Sequence, residues 1–199
     1  MPTIALITGA SRGIGRATAL KLASQGCHTI LVCRNSKEAL ERLKIKIEST
    51  YDVPCNIFVG DIGDAATVSN LFSSLSSLDI LVNNAGISYF GLLQDMTTAE
   101  WEDVLRINLT SCFLTSKYAI PLMLKQGRGK IINISSVWGN VGAAMEVAYS
   151  ASKGGMNAFT RALAKELAPS SIQVNGIACG VIETNMNSHL SLEYKKSLQ

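Results

Sequence analysis

Tyr149 and Lys153 stand four residues apart in a stretch, residues 136–153, that reads SVWGNVGAAMEVAYSASK. If the chain is helical from Val147 onward, the two side chains share one face, one turn apart. A cation beneath a phenol stabilises the phenolate, lowers the phenol's pKa and lets it act as a general acid or base near neutral pH. Ser136, thirteen residues before Tyr149, lies just after the apolar run 130–135, where a strand would end. Its hydroxyl can reach a substrate oxygen. Ser135 competes for that role, and because side chains alternate along a strand only one of the two faces a given site. Tyr-x-x-x-Lys pairs are common on helix surfaces, so the meaning of this one depends on what converges with it.

A second group stands at the other end of the chain. The short apolar run 3–8 leads into Thr8-Gly-Ala-Ser-Arg-Gly-Ile-Gly15 and then into the helical pattern 16–25. Glycines at 9, 13 and 15 permit a tight turn and let a phosphate approach the amides of a helix N-terminus. The spacing is Gly-x-x-x-Gly-x-Gly rather than the commoner Gly-x-Gly-x-x-Gly. Placed between a strand and a helix, it points to nucleotide binding.

The elements between these groups must bring them together. Residues 29–33 read as a second strand, 37–49 as a helix with Leu40, Leu43 and Ile47 on one face, and 56–59 as a third strand. Asp64 is placed to cap a helix running to Leu75. Residues 79–82 read as a fourth strand, ending in Asn83-Asn84-Ala85-Gly86. A long helical region runs from Thr97 or Thr98 to Gln126, with Pro121 as a candidate kink. Residues 130–135 form a fifth strand, 147–168 a helix stopped by Pro169, and 172–177 a sixth strand. Strands alternating with helices predict an α/β fold, a doubly wound parallel sheet in three layers with right-handed crossovers. Ligands of such sheets bind at the carboxyl ends of the strands. The segments 9–15, 33–34, 61–62, 83–86, 136 and 179–184 should therefore meet in one crevice.

Composition narrows the classes of function. The 199 residues are 47% hydrophobic and 17% charged, enough for one domain with a sizeable core and against disorder. Net charge is +3 without a clustered Lys/Arg stripe, so nucleic acid is not the expected partner. The five cysteines are scattered without Cys-x-x-Cys, which argues against a disulfide framework or zinc site and for a reducing compartment. His28 and His189 are too few for a histidine-based metal site. No apolar run reaches spanning length and no charged leader precedes one, so the expectation is a cytoplasmic protein with no membrane partner.

With these residues in order, the chain resembles the short-chain dehydrogenase/reductase family. The matches are Thr8-Gly-x-x-x-Gly-x-Gly15, Asp61, Asn83-Asn84-Ala85-Gly86, Asn108, Ser136, Tyr149-x-x-x-Lys153 and Ile182-x-Thr184. The resemblance implies a Rossmann fold and a nicotinamide cofactor. It implies that Tyr149 donates a proton to a carbonyl being reduced, and that Lys153 holds the nicotinamide ribose and lowers the tyrosine pKa. Ser136 would hydrogen-bond the substrate oxygen, the thirteen-residue gap to Tyr149 favouring it over Ser135. Asn108, which by position alone is an asparagine inside a helix, would hold a water in the proton relay. Cofactor contacts are implied at Gly9, Ser11, Arg12, Gly13, Ile14, Gly15, Arg34, Asp61, Ile62, Asn84, Ala85, Gly86, Tyr149, Lys153, Gly180, Ile182 and Thr184. Asn83 and Asn84 should satisfy backbone groups after the fourth strand and shape the cofactor floor.

Within the family the pattern most resembles 3-oxoacyl-acyl-carrier-protein reductases. The arginines with which such reductases dock the carrier protein fall here at Gly127 and Ser170, with Arg128 and Lys130 as nearby substitutes. The stretch 137–146 also resembles bacterial reductases of the aminopentanone modification on elongation factor P. Glu146, and with it Trp138, then falls at the substrate end, where a carboxylate suits a cationic substrate. Glu146 also reads as a first-turn acid at a helix N-terminus or as a solvated charge.

Two departures from the family pattern stand out. Cys179 precedes Gly180 where proline is usual. The chain also reaches Gln199 inside what resembles the lid helix, so it reads as one NADP-binding domain, 1–199, truncated before a seventh strand. That leaves residues 172–177 as an apolar edge open to aggregation or pairing, and a homodimer or homotetramer is expected of a longer form. A non-catalytic NADP-binding module or inactive fragment is the reading from another class. For the cofactor, NAD enzymes of this type place an acid at the end of the second strand. Cys33 stands there, with Arg34 beside it and Arg12 in the glycine turn, and two guanidinium groups suit the 2′-phosphate of NADPH.

Overall fold

The computed structural model describes residues 3–184. Its elements run β1 (Ile4–Thr8), α1 (Gly13–Ala23), β2 (His28–Cys33), α2 (Lys37–Tyr51), β3 (Cys55–Val59), α3 (Ala65–Ser73) and β4 (Ile80–Asn83). A 3₁₀ turn (Leu93–Asp95) precedes α4 (Thr98–Leu105), a π-turn (Arg106–Thr110) and α5 (Ser111–Gln126). Then come β5 (Gly129–Ser136), α6 (Trp138–Val141), α7 (Val147–Glu166) and β6 (Ile172–Cys179). The sheet is parallel throughout, in the order β3-β2-β1-β4-β5-β6. After β3 the chain crosses back to place β4 on the far side of β1. Connections leaving β1 and β4 therefore diverge, and a crevice opens between their carboxyl ends.

Strand alternation divides the core into two faces. Ala5, Ile7, Leu31 and Cys33 pack with Ala19 of α1 and with Leu40, Leu43 and Ile47 of α2. Leu6, Ile30 and Val32 face the other way, onto Val68 and Leu71 of α3, Leu114 of α5 and Leu163 of α7. The stripe expected at Leu40, Leu43 and Ile47 is buried, at 2% exposure or less. Asp64 caps α3, its carboxylate accepting the Thr67 amide at 2.7 Å. Thr97 opens α4 in a reciprocal capping box with Glu100.

The structure departs from the sequence reading in four places. The long helix expected over 97–126 is interrupted at the π-turn that carries Asn108, whereas Pro121 lies inside α5 without ending it. A π-turn inserts an extra residue per turn and leaves no mark in hydrophobic periodicity. β5 runs on to Ser136 and β6 to Cys179, paired opposite each other, so Ser136 ends a strand rather than following one. α7 ends at Glu166, two residues before the expected stop, because the residue ahead of Pro169 is pushed out of helical conformation. The short α6 and the 3₁₀ turn were not anticipated. β6 is the edge of the described sheet, with Ile177 51% exposed. No helix among the described residues is long and apolar enough to cross a membrane. The expected lid helix lies outside the described residues.

Candidate active site

The glycine turn is built on backbone approach. A Cβ on Gly9 would come within 2.8 Å of the Ala85 Cα, and one on Gly15 within 2.4 Å of the Gly9 carbonyl oxygen. Gly9 and Gly13 hold φ of +66° and +53°, which L side chains adopt only under strain. Thr8 locks the turn to β4, its hydroxyl donating to the Val82 carbonyl and accepting the amides of Asn84 and Ala85, each at 3.0 Å. Asn84 returns the contact, donating to the Thr8 carbonyl at 2.9 Å. Asn84, just after the fourth strand, thus satisfies backbone groups, as the sequence reading expected. Asn83 does not reach the cofactor floor: its side chain is buried beneath the sheet, held by Asn133 at 2.9 Å and Thr115 at 2.7 Å.

The first amides of α1 have no side-chain cap, since Arg12 occupies the N-cap without capping. They face a cavity of about 350 Å³ lined by Ser11, Arg12, Gly13 and Ile14. The residues around it suit a dinucleotide. The glycine cradle admits a pyrophosphate against the α1 amides. Arg12, exposed Arg34 and Ser36 line the same cavity at the end of β2. Ser36 is the N-cap of α2 and its hydroxyl caps nothing. Cys33 stands where an acid would meet a ribose hydroxyl, and its sulfur instead accepts the amides of Asn35 and Ser36. Burial holds that thiol above its ordinary pKa, so no negative charge opposes a phosphate there. Asp61 and Ile62 form the wall after β3, and Gly180, Ile182 and Thr184 line the cavity after β6. A Cβ on Gly13 would lie 3.4 Å from Thr184 Cγ2, which puts the last described segment over the glycine turn.

Tyr149, Lys153 and Ser136 meet farther along the same cavity. β5 ends at Ser136, whose oxygen accepts the Trp138 amide at 3.2 Å and whose hydroxyl is hydrogen-bonded to the Tyr149 phenol. Ser135 alternates away, donating to the Lys153 carbonyl at 3.3 Å, so Ser136 is the one that faces Tyr149. α7 carries Tyr149 and Lys153 on one face, with the Lys153 ammonium 5.7 Å from the phenol ring centroid. Lys153 is buried and donates to the Ile134 carbonyl at 2.7 Å. Gly139 lets α6 lie on α7, since a Cβ there would come within 2.6 Å of the Lys153 backbone.

The electrostatics correct one expectation. The Tyr149 pKa is not lowered but pushed up to about 12, by burial first, the Ser136 hydrogen bond opposing it and Glu146 and Cys179 adding to it. Burial pulls Lys153 down to about 8. At 5.7 Å from the ring and bonded to a carbonyl, the lysine does not outweigh the loss of water around the phenol.

Asn108 is fully buried in the π-turn. Its carbonyl oxygen accepts the Ile87 amide at 2.8 Å, and its amide donates to the Ile87 carbonyl and to Ser152 Oγ, each at 2.9 Å. Ser152 in turn donates to the Tyr149 carbonyl at 2.7 Å. The Asn108 side chain is therefore a brace between the loop after β4 and the turn of α7 that carries Tyr149.

At the far end of the cavity, two loops are joined. Gly91 donates its amide to the Met145 carbonyl at 2.8 Å, and Ser88 its hydroxyl to Glu146 at 2.7 Å. Met145 pays for the crossing with φ +63°. Glu146 is half-buried and lines the cavity with half-buried Trp138. Glu146 is the N-cap residue of α7 but its side chain caps nothing.

The model of the short chain dehydrogenase family matches residues 3–195. The chain belongs to the short-chain dehydrogenase family. It is similar to the 3-oxoacyl-[acyl-carrier-protein] reductase FabG of Aquifex aeolicus, 41% identical over 97% of this chain and 79% of that one. FabG of Staphylococcus aureus is 41% identical over all of this chain and 82% of its own, and the oxidoreductase YmfI of Bacillus subtilis 35% over the same shares. Among solved structures, a protein designated a gluconate dehydrogenase, from Agrobacterium tumefaciens, superposes with a TM-score of 0.91 at 33% identity, covering 96% of this chain and 78% of that one.

Within this family member, several site residues escaped the sequence reading. Ser88, Ser152, Ile87 and Arg106 act through contacts 21 to 58 residues distant in sequence. Arg106 holds the cavity residue Asp61 at 2.8 Å. No local pattern marks them. Arg128 is ion-paired to Asp79 at 2.8 Å, and Lys130 lies near the start of β5, at the opposite end of that strand from Ser136. Among the described residues, no group of three His, Cys, Asp or Glu side chains is disposed to hold a metal.

Proposed function

We propose that this short-chain dehydrogenase is an NADPH-dependent ketone reductase in which Tyr149 gives the proton to the substrate oxygen. The observation that carries the reading is the meeting, along one cavity, of an uncapped glycine-turn helix, two arginines with Cys33 rather than an acid at the end of β2, and the Ser136–Tyr149–Lys153 group. The reduced dinucleotide supplies the hydride when bound. Lys153, as an ammonium below about pH 8, sits where it can hold the ribose and stabilise the phenolate that proton donation leaves. Tyr149, with its pKa pushed up to about 12, keeps its proton across the physiological range. Ser136 directs its hydroxyl at the same oxygen, and that hydrogen bond strengthens as negative charge develops there. Asn108 and Ser152 fix the turn that carries the phenol.

For the substrate, the FabG relatives favour a 3-oxoacyl thioester on a carrier protein. A second reading rests on Glu146. Ser88 is its hydrogen-bond partner, and no cation pairs with it among the described residues. A half-buried negative charge at the substrate end suits a cationic ketone, such as the aminopentanone on elongation factor P, and opposes a phosphate-bearing arm. Exposed Phe113 and Leu124 on α5 supply apolar surface for a homodimer or homotetramer. The test is NADPH oxidation with an acetoacetyl thioester, a neutral ketone and an aminoketone. Turnover of any of them supports the reductase. Binding of NADPH without turnover would leave a non-catalytic NADP-binding module.

A further inference from the structure

Residues 133–136 of β5 each bond to α7. Ser136 is hydrogen-bonded to the Tyr149 phenol, Ser135 donates to the Lys153 carbonyl at 3.3 Å, and the Ile134 carbonyl accepts the Lys153 ammonium at 2.7 Å. The remaining contact lies deeper and involves no reacting group. The Asn133 side-chain amide donates to Thr160 Oγ1 at 2.8 Å. Thr160 stands about two turns, or roughly 10 Å of helix, beyond Lys153. Its own hydroxyl donates to the Met156 carbonyl at 2.7 Å, which leaves the oxygen's lone pairs to Asn133. Asn133 is held from the other side as well. Its carbonyl oxygen accepts the Asn83 side-chain amide at 2.9 Å, and the Asn83 carbonyl oxygen accepts the Thr115 hydroxyl of α5 at 2.7 Å. The donors therefore run in one sense, from Thr115 to Asn83 to Asn133 to Thr160 to the Met156 carbonyl, and these four side chains are all buried.

We propose that Thr160 is a positioning residue for the reaction: through Asn133 it fixes how deep α7 sits on β5 and how it is turned, so that Tyr149 and Lys153 meet Ser136. The inference rests on the reading of those three side chains as the reacting group. Bonds at the Tyr149–Lys153 end alone would let the helix pivot about that end. A second directional bond two turns away removes the pivot. The neighbours of Thr160 on the buried face, Met156 and Leu163, are apolar. Apolar contact is non-directional, so it tolerates small slides and rotations that a hydrogen bond does not. A buried polar network with every member bonded is rigid, because each link polarises the next. Against apolar side chains of the same shape such a network is nearly neutral for stability. Its main consequence is therefore the placement of α7. Placement is what a reacting phenol needs, since a displacement on the order of 1 Å can cost about 10²-fold in rate.

The experiment measures kcat per NADPH-binding site, with sites counted by titration of the nicotinamide fluorescence. The substrate is whichever of the acetoacetyl thioester, the neutral ketone and the aminoketone is turned over fastest. Thr160→Val keeps the shape of the side chain and removes the oxygen. It should lower kcat per site by about tenfold or more. KM and the affinity for NADPH should stay within a few fold, because the glycine turn and the arginines are untouched. Thr160→Ser keeps the oxygen and should recover most of the loss. Asn133→Leu combined with Thr160→Val makes both partners apolar, while Asn83 retains Ser116 as an acceptor at 3.3 Å. That double variant should melt near the unmodified protein yet keep the low kcat, which separates placement from stability. A kcat per site in Thr160→Val within about twofold of the unmodified value overturns the proposal. So does an equal loss in Thr160→Ser, or a fall in NADPH affinity parallel to the fall in kcat, which marks a structural prop. If Thr160→Val does not fold, the double variant and Thr160→Ser decide by the same kcat per site. Full turnover in the variants overturns this inference alone, whereas turnover of no ketone by the unmodified protein removes the reductase reading and this inference with it.

Discussion

Lys153→Met should remove a gain in stability that the buried lysine gives the unmodified protein at alkaline pH, and the size of the change follows from burial. The lysine is 3% exposed and its pKa falls from 10.5 to about 8. At about 1.4 kcal/mol per unit, burying the ammonium costs about 3 kcal/mol wherever both folded and unfolded chains are charged. Below about pH 8 that cost is present in full. Above it the folded lysine loses its proton while the unfolded one keeps it up to about 10.5, so the unfolded chain binds more protons and stability rises with pH. From about pH 7 to about pH 9.5 the unmodified protein should gain roughly 2 kcal/mol relative to Lys153→Met. Cys27, Cys33, Cys55 and Tyr149, whose pKa values are raised, push the other way in both proteins and cancel in the difference, whereas Cys112 and Cys179 feel the Lys153 charge and trim it. For a domain of this size the gain corresponds to about 4–8 °C in relative melting temperature. The assay is thermal unfolding of both proteins, free of nucleotide, at the two pH values. Parallel shifts in the two proteins would refute the reasoning, because the buried ammonium would then carry no desolvation cost.

Three further outcomes follow from the same geometry. Tyr149→Phe should lower turnover by about 10²–10⁴-fold while leaving NADPH affinity within a few fold, measured by steady-state kinetics beside a binding titration; near-normal turnover would remove Tyr149 as the acid. Arg34→Asp should reverse or abolish the preference for NADPH over NADH, read as the ratio of kcat/KM values; equal use of both by the unmodified protein would contradict the arginine argument. Glu146→Gln should reduce kcat/KM for an aminoketone by an amount equivalent to about 1–3 kcal/mol and spare a neutral ketone of equal length; equal effects on both would leave Glu146 only its contact with Ser88.

Much of this protein was legible in order along the chain. Alternating apolar strands and helices force a parallel sheet with both faces covered, and Gly9, Gly13 and Gly15 sit where no side chain fits. The Tyr149–Lys153 spacing puts both groups on one helical face, and that is a local property. The layer assignment of Leu40, Leu43 and Ile47 likewise followed from period alone. Tertiary structure decided what depends on neighbours distant in sequence. Burial set the Tyr149 pKa high, although adjacency to a lysine suggested the reverse, because desolvation depends on everything packed around the phenol. Alternation along β5 leaves one serine facing Tyr149, and the packing of α7 showed it to be Ser136, with Ser135 bonded to the Lys153 carbonyl. The π-turn gave Asn108 a brace to Ile87 and Ser152 and placed Arg106 behind Asp61, and no sequence period encodes either contact. The sequence by itself determined the fold, because periodicity is short-range, and it supplied the candidate reacting groups through the ordered family motifs. Their charge states, their directions and the residues that hold them were decided only when β3, β4, the π-turn and α7 met, because those are properties of packed neighbours.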